Sequence, residues 1–219
     1  IWAAWVVVSA RGLRQGFTPY DLTLLRFAVP AVLVLPWFFR PGVWNDWRKV
    51  LFVGACIGVP HALFVQFGIA ETSTTHGAVL LPGFVPICTT LIAWAVLRER
   101  PTIFAALGFA LILAGVAFIA LDGPADMSGI DLSWPGDAYF ICAALLWGAF
   151  TVMLKVWSLK PMETVALVAV VSTVVYLPIY VFALPHALDG PTLAAFVEQG
   201  LVQCLFGILV AMALYAIVV

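Results

Sequence analysis

Charge is scarce in this sequence: 10 Lys or Arg and 11 Asp or Glu occur among 219 residues, while 64% of the chain is hydrophobic. A soluble domain carries about 25% charged residues, so this chain has too little polar surface for a water-facing fold. With a formal net charge of −1, no basic face is available to follow a phosphate backbone, which excludes nucleic acid as a partner. The four cysteines, Cys56, Cys88, Cys142 and Cys204, stand alone in apolar runs with no Cys-x-x-Cys pair. They read as inert buried thiols, and no metal or cofactor is expected. No Gly-x-Ser-x-Gly elbow, His-Glu-x-x-His helix or phosphate loop occurs, so no catalytic residue is assigned. Asp122 and Asp126 have the spacing of an acidic metal pair, but Gly123-Pro124 between them breaks the helix that would align them. No carboxylate falls clearly at mid-membrane depth. The chain has no initiator Met, and its last residues carry no cap or charge, which reads as a fragment cut through a helix at each end.

What fills the chain instead is a series of long apolar runs. A helix crosses about 30 Å of hydrocarbon with roughly 20 residues, and Pro, Gly and charge clusters divide the sequence into about eight such spans. They run from Ile1 to Leu13, Tyr20 to Phe39, Val50 to Ala70, His76 to Leu97, Pro101 to Leu121, Gly136 to Trp157, Met162 to Leu184, and Leu193 to the end. Transmembrane strands would need only about 10 residues and would alternate, which these runs do not. The fold class is therefore all-α, a polytopic transmembrane helix bundle solvated by the lipid bilayer. Seven basic residues (Arg40, Arg48, Lys49, Arg98, Arg100, Lys155, Lys160) fall on one side and two (Arg11, Arg14) on the other. That bias puts the N-terminus in the cytoplasm and the acidic loop with Asp122, Asp126 and Asp131 outside.

The sequence also repeats. Ile1-Trp2-Ala3-Ala4 resembles Leu146-Trp147-Gly148-Ala149, and Pro19 with Leu35-Pro36 matches Pro161 with Leu177-Pro178 at the same spacing. Gly54 and Ala70 match Gly200 and Ala216 more loosely. The copies would be residues 1–135, five helices, and 136–219, the first three helices of a second copy. An odd number of spans per copy inverts the second relative to the first. Inverted repeats of this type place a substrate site near the bilayer midplane between the copies.

Leu81-Pro82-Gly83-Phe84-Val85-Pro86, Leu97-Arg98-Glu99-Arg100-Pro101 and Gly108-Phe109-Ala110-Leu111-Ile112-Leu113-Ala114-Gly115-Val116 follow one another in the fourth and fifth spans. In that order they resemble the EamA-type repeat of the drug/metabolite transporter superfamily. Arg26-Phe27 and Gly136-Asp137 with Leu145-Leu146-Trp147 fit the same pattern. Trp2-Ala3-Ala4 stands where the family commonly has Trp-Gly-Ser. The resemblance implies a ten-helix secondary transporter of the bacterial inner membrane that moves a small-molecule metabolite, often outward. It also allows a homodimer.

His61 leads the candidate substrate-binding residues. It lies near the centre of the third span after Pro60, and Gly54, Gly58 and Gly68 share its face. An imidazole there can bind a polar head or carry a proton, or can serve as interhelical glue. Pro86 and Thr90 are candidates because Pro82-Gly83-Pro86 would break or kink the fourth span and free backbone groups, although proline kinks are also ordinary in membrane helices. Trp5 and Trp147 would give aromatic walls, an alternative to a lipid-facing role. Arg26 reads as a structural intramembrane charge that snorkels to the interface or pairs with Asp21, with contact to the substrate as the alternative. Trp37, Trp44 and Trp47 read as an interfacial belt. Glu99 reads as a carboxylate favoured near a helix N-terminus, and Gly108 with Gly115 as a close-packing face. An amino acid or amphipathic compound is the expected substrate. An intramembrane lipid-modifying enzyme and a non-transporting scaffold are the rival readings.

Overall fold

The computed structural model describes residues 2–40, 46–72, 74–121 and 134–205. Among them lie nine helices and no strand: α1 (Trp2–Arg14), α2 (Pro19–Phe38), α3 (Trp47–Ile57), α4 (Val59–Glu71), α5 (Thr74–Leu97), α6 (Ile103–Leu121), α7 (Trp134–Val156), α8 (Pro161–Ala183) and α9 (Leu193–Cys204). Five stretches are long and apolar enough to span a bilayer, with α3 and α4 together forming one of them. The chain is a multi-pass membrane protein. Its outer faces are apolar, with Phe104, Leu111, Phe182 and Leu193 all more than 70% exposed, and its interior is polar at Arg26, His61, Gln66, Gln199 and Gln203. A water-soluble fold rarely leaves apolar patches of that extent uncovered. Trp44, the acidic loop with Asp122, Asp126 and Asp131, and Ala216 lie outside the described residues.

Helix starts follow the local chemistry. Thr18 caps α2 by accepting the Asp21 N–H at 3.1 Å, while the Asp21 carboxylate accepts the Thr18 N–H at 2.7 Å. Pro19 occupies the first turn, where its missing N–H costs nothing. Side-chain contacts then fix how the helices run. Phe140 packs at Gly68, Trp147 at His61 and Trp157 at Phe52, so α7 is antiparallel to α3 and α4. Gly77 meets Phe140, Gly148 meets Cys88 and Thr89, and Lys155 pairs with Glu99, so α5 and α7 run side by side in one direction. Tyr176 and Tyr180 of α8 bond to Tyr20 and Asp21 at the start of α2, which makes that pair antiparallel. Arg11–Glu198, Val8–Gln199 and Trp5–Gln203 make α1 and α9 antiparallel. Tyr20 stacks on Phe67, setting α2 against α4, and Gly200 faces Val29, setting α9 along α2. Followed through these contacts, α1 and α7 run in opposite directions, as do α2 and α8.

The structure refines the third, fourth and fifth spans. The third span is broken: α3 stops at Ile57, Gly58 caps both helices, and α4 restarts with Pro60 in its first turn. A Cβ at Gly58 would lie 2.3 Å from the Gly54 carbonyl oxygen and 2.7 Å from Ser172 Oγ of α8, so the chain can bend there only with glycine. The fourth span, whose Pro82 and Pro86 would break or kink a helix, is the single helix α5. Neighbouring turns and helices re-satisfy backbone groups freed by proline in a membrane helix. A Cβ added at Gly108 or Gly115 would meet nothing within 4 Å among the described residues, so no neighbour within that set packs on these glycines. Helix α6 leans on α5 elsewhere, through Ile112 at Gly83 and Val116 against the core that holds Leu81.

Candidate functional site

Four helices meet at the break. Trp5 of α1, Arg26 of α2, His61 of α4 and Trp147 of α7 are each at most 4% exposed. The Arg26 guanidinium carbon sits 4.6 Å from the Trp5 ring centroid. The His61 ring lies 5.3 Å from that of Trp147, which in turn has Phe150 at 6.3 Å. His61, Trp5 and Trp147, three of the sequence-derived candidates, are thus all buried, Trp5 against Arg26 and Trp147 against His61.

The polar atoms there are short of partners. Nε and Nη1 of Arg26, both ring nitrogens of His61 and both amide atoms of Gln66 are buried and make no hydrogen bond among the described residues. Buried polar groups in native proteins are almost always bonded, so each exception calls for a physical cause such as a bound ligand, ion or water. In a lipid environment the penalty is larger because no bulk water is at hand. Arg26 does not reach the interface, being 3% exposed. Nor is Asp21 its partner: that carboxylate accepts from Thr18 N–H, Tyr180 O–H and, at 3.4 Å, Ala187 N–H. Asp21 therefore ties the start of α2 to the far end of α8.

The other candidates lie elsewhere. On α5, Pro86 is exposed and Thr90 half-buried. No hydrogen bond or ring contact joins either to His61 among the described residues. Their neighbour Thr89 has a buried Oγ1 with no partner among the described residues and lies where α7 packs close, since a Cβ at Gly148 would be 2.8 Å from the Thr89 nitrogen. Glu99 follows α5 in the link to α6 and pairs with Lys155 at 3.2 Å, joining the ends of α5 and α7. Cations lie over indole rings at Arg40–Trp37, Arg48–Trp47 and Lys49–Trp157, 5.8, 5.6 and 5.8 Å from the ring centroids. Cys56, Cys88 and Cys204 are buried free thiols, and Cys142 is half-buried.

A second polar chain was missed in the sequence. Trp5 Nε1 donates to Gln203 Oε1 at 2.8 Å, Gln203 Nε2 donates to Ser9 Oγ at 2.9 Å, and Gln199 Nε2 donates to the Val8 carbonyl at 2.8 Å. The signal was available: Gln66, Gln199 and Gln203 are amides inside apolar runs, and such residues almost always face a protein interior.

The EamA-like transporter family matches residues 1–121. The uncharacterized transporter YwfM of Bacillus subtilis (strain 168) is 26% identical over 196 residues, covering 82% of this chain and 64% of that protein. The chain thus spans less than two thirds of that relative's length. No solved structure matches.

Proposed function

Because the chain belongs to the EamA-like transporter family, whose members are membrane transporters rather than enzymes, we propose that it is a secondary carrier working by alternating access. It moves a small metabolite, an amino acid or amphipathic compound, outward across the bacterial inner membrane. The N-terminus is cytoplasmic, on the side of the basic loops. Residues 1–135 form one five-helix copy, and 136–219 begin an inverted second copy. Support for the inversion comes from the opposed directions of α1 and α7 and of α2 and α8. Helices α2 and α8 each begin with a proline and carry a second one, Pro36 or Pro178, at the same spacing.

The observation that favours a carrier is the group of unpartnered polar atoms beside a helix break, in the zone where the copies meet. Discontinuous helices build substrate sites in inverted-repeat transporters because their loose backbone and side-chain groups bind polar cargo. Binding residues are His61, Trp5 and Trp147, with Pro86 and Thr90 of α5 on the second side of α7. Flux in proteoliposomes, measured over a panel of amino acids and amphipathic compounds, tests this. His61→Ala is expected to lower flux of the transported compound by about tenfold or more, equivalent to roughly 1.4 kcal/mol of lost binding. Unchanged flux in that variant would remove His61 from the site, and no flux of any compound through wild type would remove the carrier.

A further inference from the structure

Arg26 is a fixed positive charge, since a guanidinium stays protonated at every pH a cell meets. It sits at 3% exposure with Nε and Nη1 unpartnered, and no carboxylate pairs with it among the described residues. The ion pairs of the bundle go elsewhere: Glu198 to Arg11, Glu99 to Lys155 and Glu163 to Lys160, with Asp21 held by Tyr180 and Thr18. A buried charge left alone is strongly unfavourable unless something supplies the opposite charge. An arginine that served only to anchor a helix would pair or snorkel, and among the described residues Arg26 does neither. One face of its guanidinium is fixed against Trp5. Stacking of that kind pre-organises the group for an incoming anion. His61, buried on α4, which packs against α2, offers one N–H donor and one acceptor when neutral, and neither ring nitrogen has a partner among the described residues. Trp147 beside it adds an apolar wall.

We propose that Arg26, stacked on Trp5 and assisted by His61, receives the carboxylate of the transported compound, whose apolar part lies against Trp147. The cargo is then an organic acid or amino acid bearing a single carboxylate next to an aromatic or aliphatic group. One fixed cation in a dry interior balances one negative charge, which favours a carboxylate monoanion over a phosphate dianion. This assignment rests on the carrier reading above and names the chemistry of the same site.

The test uses the full-length protein in lipid nanodiscs for calorimetric binding and in proteoliposomes for flux. Probes are 3-phenylpropionate and phenylalanine, their amides, phenyl phosphate, and a neutral and a cationic aromatic compound. The carboxylates are expected to bind at least tenfold more tightly than their amides and than phenyl phosphate. Arg26→Gln is expected to abolish that preference, while Arg26→Lys keeps part of it. Without ligand, Arg26→Leu is expected to melt at a higher temperature than wild type, because it removes an uncompensated charge; a helix anchor would melt lower. Equal binding of acids and amides, unchanged preference in Arg26→Gln, or a lower ligand-free melting temperature in Arg26→Leu overturns the assignment. Tighter binding of phenyl phosphate overturns the carboxylate class. Flux confined to neutral or cationic compounds also overturns the assignment and leaves the carrier standing, whereas no flux of any probe removes the carrier as well.

Discussion

Trp5 does two things at once: its ring lies under Arg26, and its Nε1–H is donated to Gln203. Gln203 in turn donates to Ser9, so the indole is held by a side chain that is itself held. Removing one partner leaves a buried donor or acceptor unmet, which costs about 1–3 kcal/mol, while removing both leaves little unsatisfied. Gln203→Leu and Trp5→Phe are each expected to lower stability by about that amount, and the double variant by clearly less than the sum. Unfolding in detergent measures the cycle, and simple additivity would show that the bond carries no coupling. At this scale the sequence was partly legible. His61 stood out as an ionisable group at mid-span behind a proline, and the structure sets it against Trp147. Arg26 was visible as a charge, but its surroundings were not. Its nearest sequence carboxylate, Asp21, is taken by Tyr180, 159 residues away along the chain, and a single sequence holds no trace of such a pairing.

The break between α3 and α4 belongs to the scale of the element. Pro60 lacks the N–H that would reach back one turn, and Gly58 lets the backbone come against Ser172 of α8. Gly58→Ala would force a methyl group to within 2.3 Å of the Gly54 carbonyl oxygen, a contact that backbone must move to relieve. Overpacking of this kind costs about 1–3 kcal/mol, so a lower melting temperature and reduced flux are expected. A variant that keeps wild-type stability and flux would show that the bend tolerates a side chain. Hydropathy located the third span but not its interruption, because a proline-linked kink and a full stop look alike in one sequence. The difference lies in a glycine's distance from another helix. The same limit applies to α5, where a break and a kink read alike in the sequence and the chain forms one helix.

At the scale of the whole molecule, span positions were legible because apolar length is written along the chain, and most observed bounds fall within two or three residues of the expected ones. Helix neighbours were not. A membrane helix is apolar on every side, so no stripe marks its buried face, and association depends on small residues and buried polar groups. Gly68, Gly77 and Gly148 turned out to be contact points, whereas Gly108 and Gly115 face open space among the described residues. The proposed arrangement, two opposed copies meeting at Arg26 and His61, requires that this zone face each side of the membrane in turn. The most direct measurement is thiol labelling of Gln66→Cys, on α4 beyond His61, in a background with the native cysteines replaced, by a membrane-impermeant reagent in right-side-out and inside-out vesicles. An alternating carrier gives labelling from both sides, slowed in each orientation by a transported carboxylate. Labelling from one side only, or from neither, would contradict it.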